Sequence, residues 1–73
     1  MTKLNKAKEF YLRGFRSTYI KRRTGVLAGE LKKTFPEIDT PTIMKYQIQY
    51  LRDKYSVDEI ADALEQALSV TNV

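Results

Sequence analysis

The side chains of this 73-residue chain that could do chemistry are mostly cations, and they are concentrated in its first half. Residues 1–33 hold ten of the thirteen Lys and Arg residues against two carboxylates, a net charge of +8, whereas residues 34–73 net −4. Clustered cations suit phosphate binding, because phosphate contacts supply most of the non-specific affinity of a protein for nucleic acid. The charge pattern therefore predicts a nucleic-acid partner, with DNA favoured over RNA.

One polar strip in the second half has residue types suited to base recognition. Lys45, Gln49 and Arg52 are spaced 0, 4 and 7 residues apart, so they share one face of a helix. Glutamine can pair bidentately with adenine and arginine with guanine, although any solvated helix face shows the same spacing. The predicted nucleic-acid-binding residues are Lys6, Arg13, Arg16, Lys21, Arg22, Arg23, Lys32, Lys33, Lys45, Gln49 and Arg52.

A second set of residues points to a protein partner instead. Eight aromatic residues are many for so small a core, and tyrosine is favoured in the cores of protein interfaces. The alternatives are that neighbouring helices cover the tyrosines, and that the acidic residues form a solvated face or neutralise the basic surface. The predicted partner-binding residues are Tyr46, Tyr50, Asp58, Asp62 and Glu65.

The composition argues against catalysis and against a bound cofactor. The chain has no His and no Cys, so the commonest general base and the strongest nucleophile are absent. A metal site built on the acidic face of the last helix would need more oxygen ligands from other directions. We therefore expect no enzyme activity, metal, cofactor or small-molecule substrate. The lack of cysteine, of a long apolar run and of an apolar signal core predicts a cytoplasmic protein that does not bind membranes.

The apolar periodicity predicts an all-α fold in one domain spanning residues 1–73. It indicates a compact bundle of four helices at about 2–23, 26–34, 41–54 and 57–69, with the third helix central because it is apolar nearly all round. Gly14 predicts a close contact or a bend, and Gly25 a left-handed helix stop. Thr40 and Pro41 suit the start of the third helix, and Ser56 to Glu59 form a capping box for the fourth.

The helices at 26–34 and 41–54 have the rough plan of a helix-turn-helix, although their linker is longer than the tight turn of that motif. The stretch 55–64 also resembles the first helix of bacterial helix-turn-helix regulators. Only residues 65–73 follow it, so the resemblance assigns no functional residue. The sequence thus predicts a small, dimeric DNA-binding regulatory or accessory protein of bacterial or phage type. The alternative is an adaptor or inhibitor that acts through the aromatic flank of the third helix or the acidic face of the fourth.

Overall fold

The computed structural model describes residues 2–38 and 42–71, with side chains through residue 69. These residues form five α-helices and no strand: α1 (Lys3–Leu12), α2 (Ser17–Thr24), α3 (Ala28–Thr34), α4 (Thr42–Arg52) and α5 (Val57–Thr71). The predicted all-α class is confirmed. The predicted count of four helices is wrong, because the helix predicted over 2–23 is two helices. The predicted cap at Thr40 and Pro41 lies outside the described residues.

The first predicted helix breaks at Gly14, where α1 ends and the backbone of α4 comes close. Gly14 has a φ of +94°, and a Cβ atom built on it would lie 2.5 Å from the backbone nitrogen of Lys45. Glycine alone tolerates both the left-handed conformation and this approach of a second backbone. Directly after Gly14, the Phe15 N–H donates a hydrogen bond to the Phe10 carbonyl at 3.0 Å. Gly14 therefore marks both the bend and the close contact that its position predicts.

The core lies mainly between α1, α2 and α3. Three aromatic rings form its centre, with centroid distances of 5.0 Å between Phe10 and Phe15 and 5.5 Å between Phe15 and Tyr19. Ile20 falls on the polar side of a continuous helix, but the break resets the helical phase, and Ile20 is only 1% exposed. The buried apolar residues are Ala7, Phe10, Phe15, Tyr19, Ile20, Val26, Leu31, Ile48 and Ala61.

A tight turn of three residues joins α2 to α3. Gly25 ends α2 with a φ of +80° and donates its N–H to the Lys21 carbonyl at 2.7 Å. The Thr24 hydroxyl donates to the Ile20 carbonyl at 2.7 Å and accepts from the Val26 N–H at 3.2 Å, and the Val26 side chain is buried. The left-handed stop at Gly25 is thus confirmed. The tightly joined pair of helices is α2 and α3, not the pair predicted at 26–34 and 41–54.

Helix α4 is peripheral, which corrects the predicted central position. Ile48 is its one buried residue among those described, whereas Ile43, Tyr46 and Tyr50 are each more than half exposed. A turn connects α4 to α5, and the predicted capping box begins α5. Within it the Glu59 N–H donates to Ser56 Oγ at 3.1 Å, and the Ser56 N–H donates to Glu59 Oε1 at 3.3 Å.

Candidate nucleic-acid interface

A surface cavity with a volume of about 860 Å³ is lined by six of the eleven predicted nucleic-acid-binding residues. We call it the basic groove. Residues at the start of α2, on α2, on α3 and on α4 line it, and no described carboxylate does. Five cations and one amide side chain line it, namely Arg16, Arg22, Lys32, Lys45 and Arg52, and Gln49. Five cations on a lining that holds no carboxylate give this groove the electrostatic character of a polyanion site.

The start of α2 adds to the positive potential of the basic groove. Arg16 is the N-cap residue of α2 in extended conformation, and its side chain makes no capping hydrogen bond. The first turn of α2 contains no acidic residue, so the positive end of the helix dipole is not offset there. Further along α2, the Arg22 guanidinium lies over the Tyr19 ring, 4.9 Å from its centroid. This cation–π contact holds Arg22 against a buried aromatic ring at the groove.

The close approach at Gly14 positions the strip on α4. Because Gly14 carries no side chain, the backbone of Lys45 packs directly against the turn between α1 and α2. This contact places Lys45, Gln49 and Arg52 on the same groove as Arg16. The predicted strip is therefore exposed and faces the basic residues of the first half.

Two groove residues were missed by the sequence reasoning. Ser17 and Thr18 open α2 and line the basic groove beside Arg16. Hydroxyl groups and backbone N–H groups commonly bind phosphate oxygens in protein–DNA complexes. Their position directly after a cation in the basic half is a usable signal for phosphate binding. A single helix over 2–23 hides this signal, because it places no helix start at Ser17.

Five of the eleven predicted nucleic-acid-binding residues lie outside the basic groove. Lys6 is half-buried on α1, and Lys21 and Lys33 are exposed on α2 and α3. Arg13 lines a different concavity of about 600 Å³, an apolar cleft between α4 and α5. The cations of the basic half therefore do not all line the basic groove.

Arg23, the remaining predicted nucleic-acid-binding residue, binds the acidic face of α5. Its Nε atom donates to Glu65 Oε1 at 3.1 Å, a terminal nitrogen lies 3.6 Å from Asp58 Oδ1, and the other terminal nitrogen contacts Asp62. Hydrogen bonds to Glu65 and Asp62 raise the pKa of Arg23 above its ordinary value. The three acidic residues predicted to bind a partner thus hold Arg23 of the same chain, as the neutralisation alternative anticipated for part of the basic half.

Tyr19, a residue of the core, also contacts the acidic face of α5. Its hydroxyl donates to Asp58 Oδ1 at 2.9 Å. Burial, followed by this hydrogen bond, raises the pKa of the Tyr19 phenol above its usual value of 10.0, although Arg23 acts in the opposite direction. The carboxylates of α5 are therefore fixed on two residues of α2, one charged and one aromatic.

The aromatic flank of α4 is not covered by the described helices. Tyr46 is 70% exposed and Tyr50 is 61% exposed, and Ile43, one turn before Tyr46, is exposed as well. The Lys54 ammonium lies 4.9 Å from the centroid of the Tyr50 ring. The alternative in which neighbouring helices cover these tyrosines is therefore wrong for the isolated chain.

Across residues 2–38 and 42–71, no cluster of three or more acidic side chains is arranged to hold a metal ion. Within the same ranges no helix combines the length and the apolar character needed to cross a membrane. Comparisons with protein-family models, with curated proteins and with solved structures found no match to this chain.

Proposed function

We propose that this protein binds double-stranded DNA through the basic groove and the adjoining helix α3. The observation that carries the proposal is the convergence of five cations from α2, α3 and α4 on one concave surface without a carboxylate. A phosphate backbone lying in such a groove releases condensed counterions, which favours binding on any sequence. The hydroxyls of Ser17 and Thr18 supply neutral donors to the same phosphates.

The arrangement of the first three helices supports DNA rather than a small anion. Helices α2 and α3 are joined by a three-residue turn with Gly25 in the left-handed conformation, and α1 packs on both of them. Two helices joined by a short glycine-containing turn are the plan of the DNA-binding helix-turn-helix. In that plan the first helix crosses the phosphate backbone and the second enters the major groove. Here these roles fall to α2 and α3.

This proposal gives α4 a role different from the one that its sequence suggests. Lys45, Gln49 and Arg52 line the basic groove together with Lys32 of α3. When α3 occupies the major groove, the α4 strip meets the phosphate backbone beside it. We therefore assign base contacts to α3 and backbone contacts to Lys45 and Arg52.

A salt series tests the proposal. The full chain is titrated into a fluorescently labelled duplex of mixed sequence, and anisotropy is measured from about 50 to 300 mM salt. Contacts to three to five phosphates predict a log–log slope of roughly −3 to −5, since each contact contributes about −0.9. Absence of binding at the lowest salt, or a slope near zero, contradicts the proposal.

The exposed flank of α4 favours a second candidate function, protein–protein binding. Ile43, Tyr46 and Tyr50 form an apolar surface on one side of α4, and such surfaces commonly mark partner sites. The first partner to test is a second copy of this chain. Sedimentation of the wild type, of Tyr46→Ala and of Tyr50→Ala over a concentration series decides it, with Gln47→Ala as the matched control on the same helix. A concentration-dependent dimer that only the tyrosine variants weaken supports self-association, and a monomer throughout contradicts it.

A further inference from the structure

Three glycines occur in the chain, and the fold requires only two of them. Gly14 has a positive φ and meets the backbone of Lys45, and Gly25 has a positive φ at the end of α2. Gly29 has neither property: its φ is not positive, and a Cβ atom built on it would meet nothing within 4 Å. Glycine is a poor helix former because it loses the most backbone freedom on ordering, so alanine would suit this position of α3 better. Nothing within the described chain explains why it is glycine.

The position of Gly29 on α3 places it at the centre of the outward face. Successive residues of a helix are rotated by about 100°, and Leu31, only 1% exposed, fixes the side that faces the core. Gly29 and Lys33 lie on the side opposite Leu31, and Lys32 lies next to them toward the basic groove. The missing side chain thus leaves a gap in the outward face, with the cations Lys32 and Lys33 one turn further along α3.

We propose that Gly29 is the point where the backbone of α3 comes closest to the base edges in the major groove of B-form DNA. The inference rests on the proposed function and adds to it a specificity-determining residue and a ligand class. The absent side chain lets α3 lie deeper in the groove, while Lys32 and Lys33, one turn further along α3, reach its phosphate walls. An A-form RNA duplex has a major groove too deep and narrow for a helix, so close approach at Gly29 selects DNA.

Two substitutions at this position separate stability from binding. Gly29→Ala should keep or raise the melting temperature, because alanine favours the helix and its Cβ atom meets no other atom. The same change should weaken duplex binding, and Gly29→Leu should weaken it at least about tenfold, equivalent to about 1.4 kcal/mol. Gln66→Leu is the control for an exposed leucine, since it places the same apolar side chain at an exposed helical position outside the basic groove.

The experiment measures binding of each folded variant to a mixed-sequence DNA duplex and to an RNA duplex of the same sequence. The inference is supported when both Gly29 variants keep or raise the melting temperature, lose DNA affinity in the order Ala then Leu, and leave RNA affinity unchanged. It is overturned when Gly29→Leu binds DNA as tightly as the Gln66→Leu control, or when DNA and RNA affinities fall together. A wild-type chain that binds no DNA at low salt overturns the proposed function itself, so the two failures are distinguishable.

Discussion

The Nε atom of Arg23 at the end of α2 donates a hydrogen bond to the Glu65 carboxylate of α5 at 3.1 Å, across 42 residues of sequence. Asp58 and Asp62 complete a cage of three carboxylates around this one guanidinium. The cage holds α5, whose one fully buried residue among those described is Ala61, against the α1–α3 core. The cage therefore engages one cation of α2 in contacts within the fold, and it leaves the other cations of α2 available to bind a ligand.

Loss of this cage should destabilise the protein. Partly exposed ion pairs contribute about 0.2–1 kcal/mol each, so Arg23→Ala should lower the free energy of unfolding by about 1–2 kcal/mol in a urea titration. Arg23→Lys keeps the charge but loses the planar fork, and it should recover only part of that loss. An unchanged midpoint for Arg23→Ala would mean that the cage contributes nothing to stability.

Two adjacent arginines should differ in their effect on DNA binding. Arg22 lines the basic groove and lies over the Tyr19 ring, whereas the guanidinium of Arg23 is surrounded by carboxylates of α5. At equal net charge, Arg22→Ala should weaken duplex binding several-fold more than Arg23→Ala, because the proposed binding mode places only Arg22 on phosphates. Anisotropy at one fixed salt concentration measures the difference. Equal losses of affinity would show that duplex binding depends on the charge of the whole chain and not on the groove.

Gly14 should be intolerant of any side chain. A Cβ atom there would lie 2.5–2.7 Å from backbone atoms of Met44 and Lys45, and the φ of +94° is strained for any other residue. Gly14→Ala should therefore cost about 3 kcal/mol or more, enough to unfold a marginal domain of this size. Thermal unfolding followed by circular dichroism checks it, with Gly29→Ala as the control at a position that has space. A stable Gly14→Ala variant would contradict the packing of α4 against the α1–α2 turn.

The raised pKa of Tyr19 predicts how the free energy of unfolding changes at alkaline pH. The pKa of Tyr19 is raised in the folded state, so the unfolded chain loses this proton first as the pH passes 10.0. The stabilisation is complete below that pH and is lost as the pH rises toward the folded-state pKa. Tyr19→Phe should therefore show a shallower fall in unfolding free energy between about pH 9 and 11 than the wild type. Parallel curves for the two proteins would contradict the raised pKa.

Local signals in the sequence predicted the helical class and the helix ends that depend on neighbouring residues. The capping box at Ser56 and the left-handed stop at Gly25 are set within a few residues of chain, and the structure contains both. Gly14 also ends its helix through local hydrogen bonds, from the Gly14 N–H to the Tyr11 carbonyl and from the Phe15 N–H to the Phe10 carbonyl. What no neighbouring residue shows is the close approach of the Lys45 backbone, about thirty residues away in the sequence. Phe10 and Phe15 suit a single helix equally well, so apolar periodicity alone could not locate the break.

The candidate site shows the same division. The types and clustering of its cations were evident from the sequence, and six of the predicted residues do share one groove. Which cation faces the groove and which one faces a carboxylate depends on how α5 packs against α2. Arg22 and Arg23 are adjacent in the sequence and alike in chemistry, and only the tertiary contacts of Arg23 with α5 separate them.

The central claim is that the basic groove, and not net positive charge, binds DNA. Two charge-matched double variants test it most directly: Lys32→Gln with Lys45→Gln inside the groove, and Lys3→Gln with Lys21→Gln outside it. Both variants lose two charges, so their long-range attraction for a duplex is the same. We expect the groove variant to lose at least about tenfold more duplex affinity and to reduce the salt slope by nearly 2, whereas the outer variant stays close to wild type. Equal losses in the two variants would rule out DNA binding through the groove.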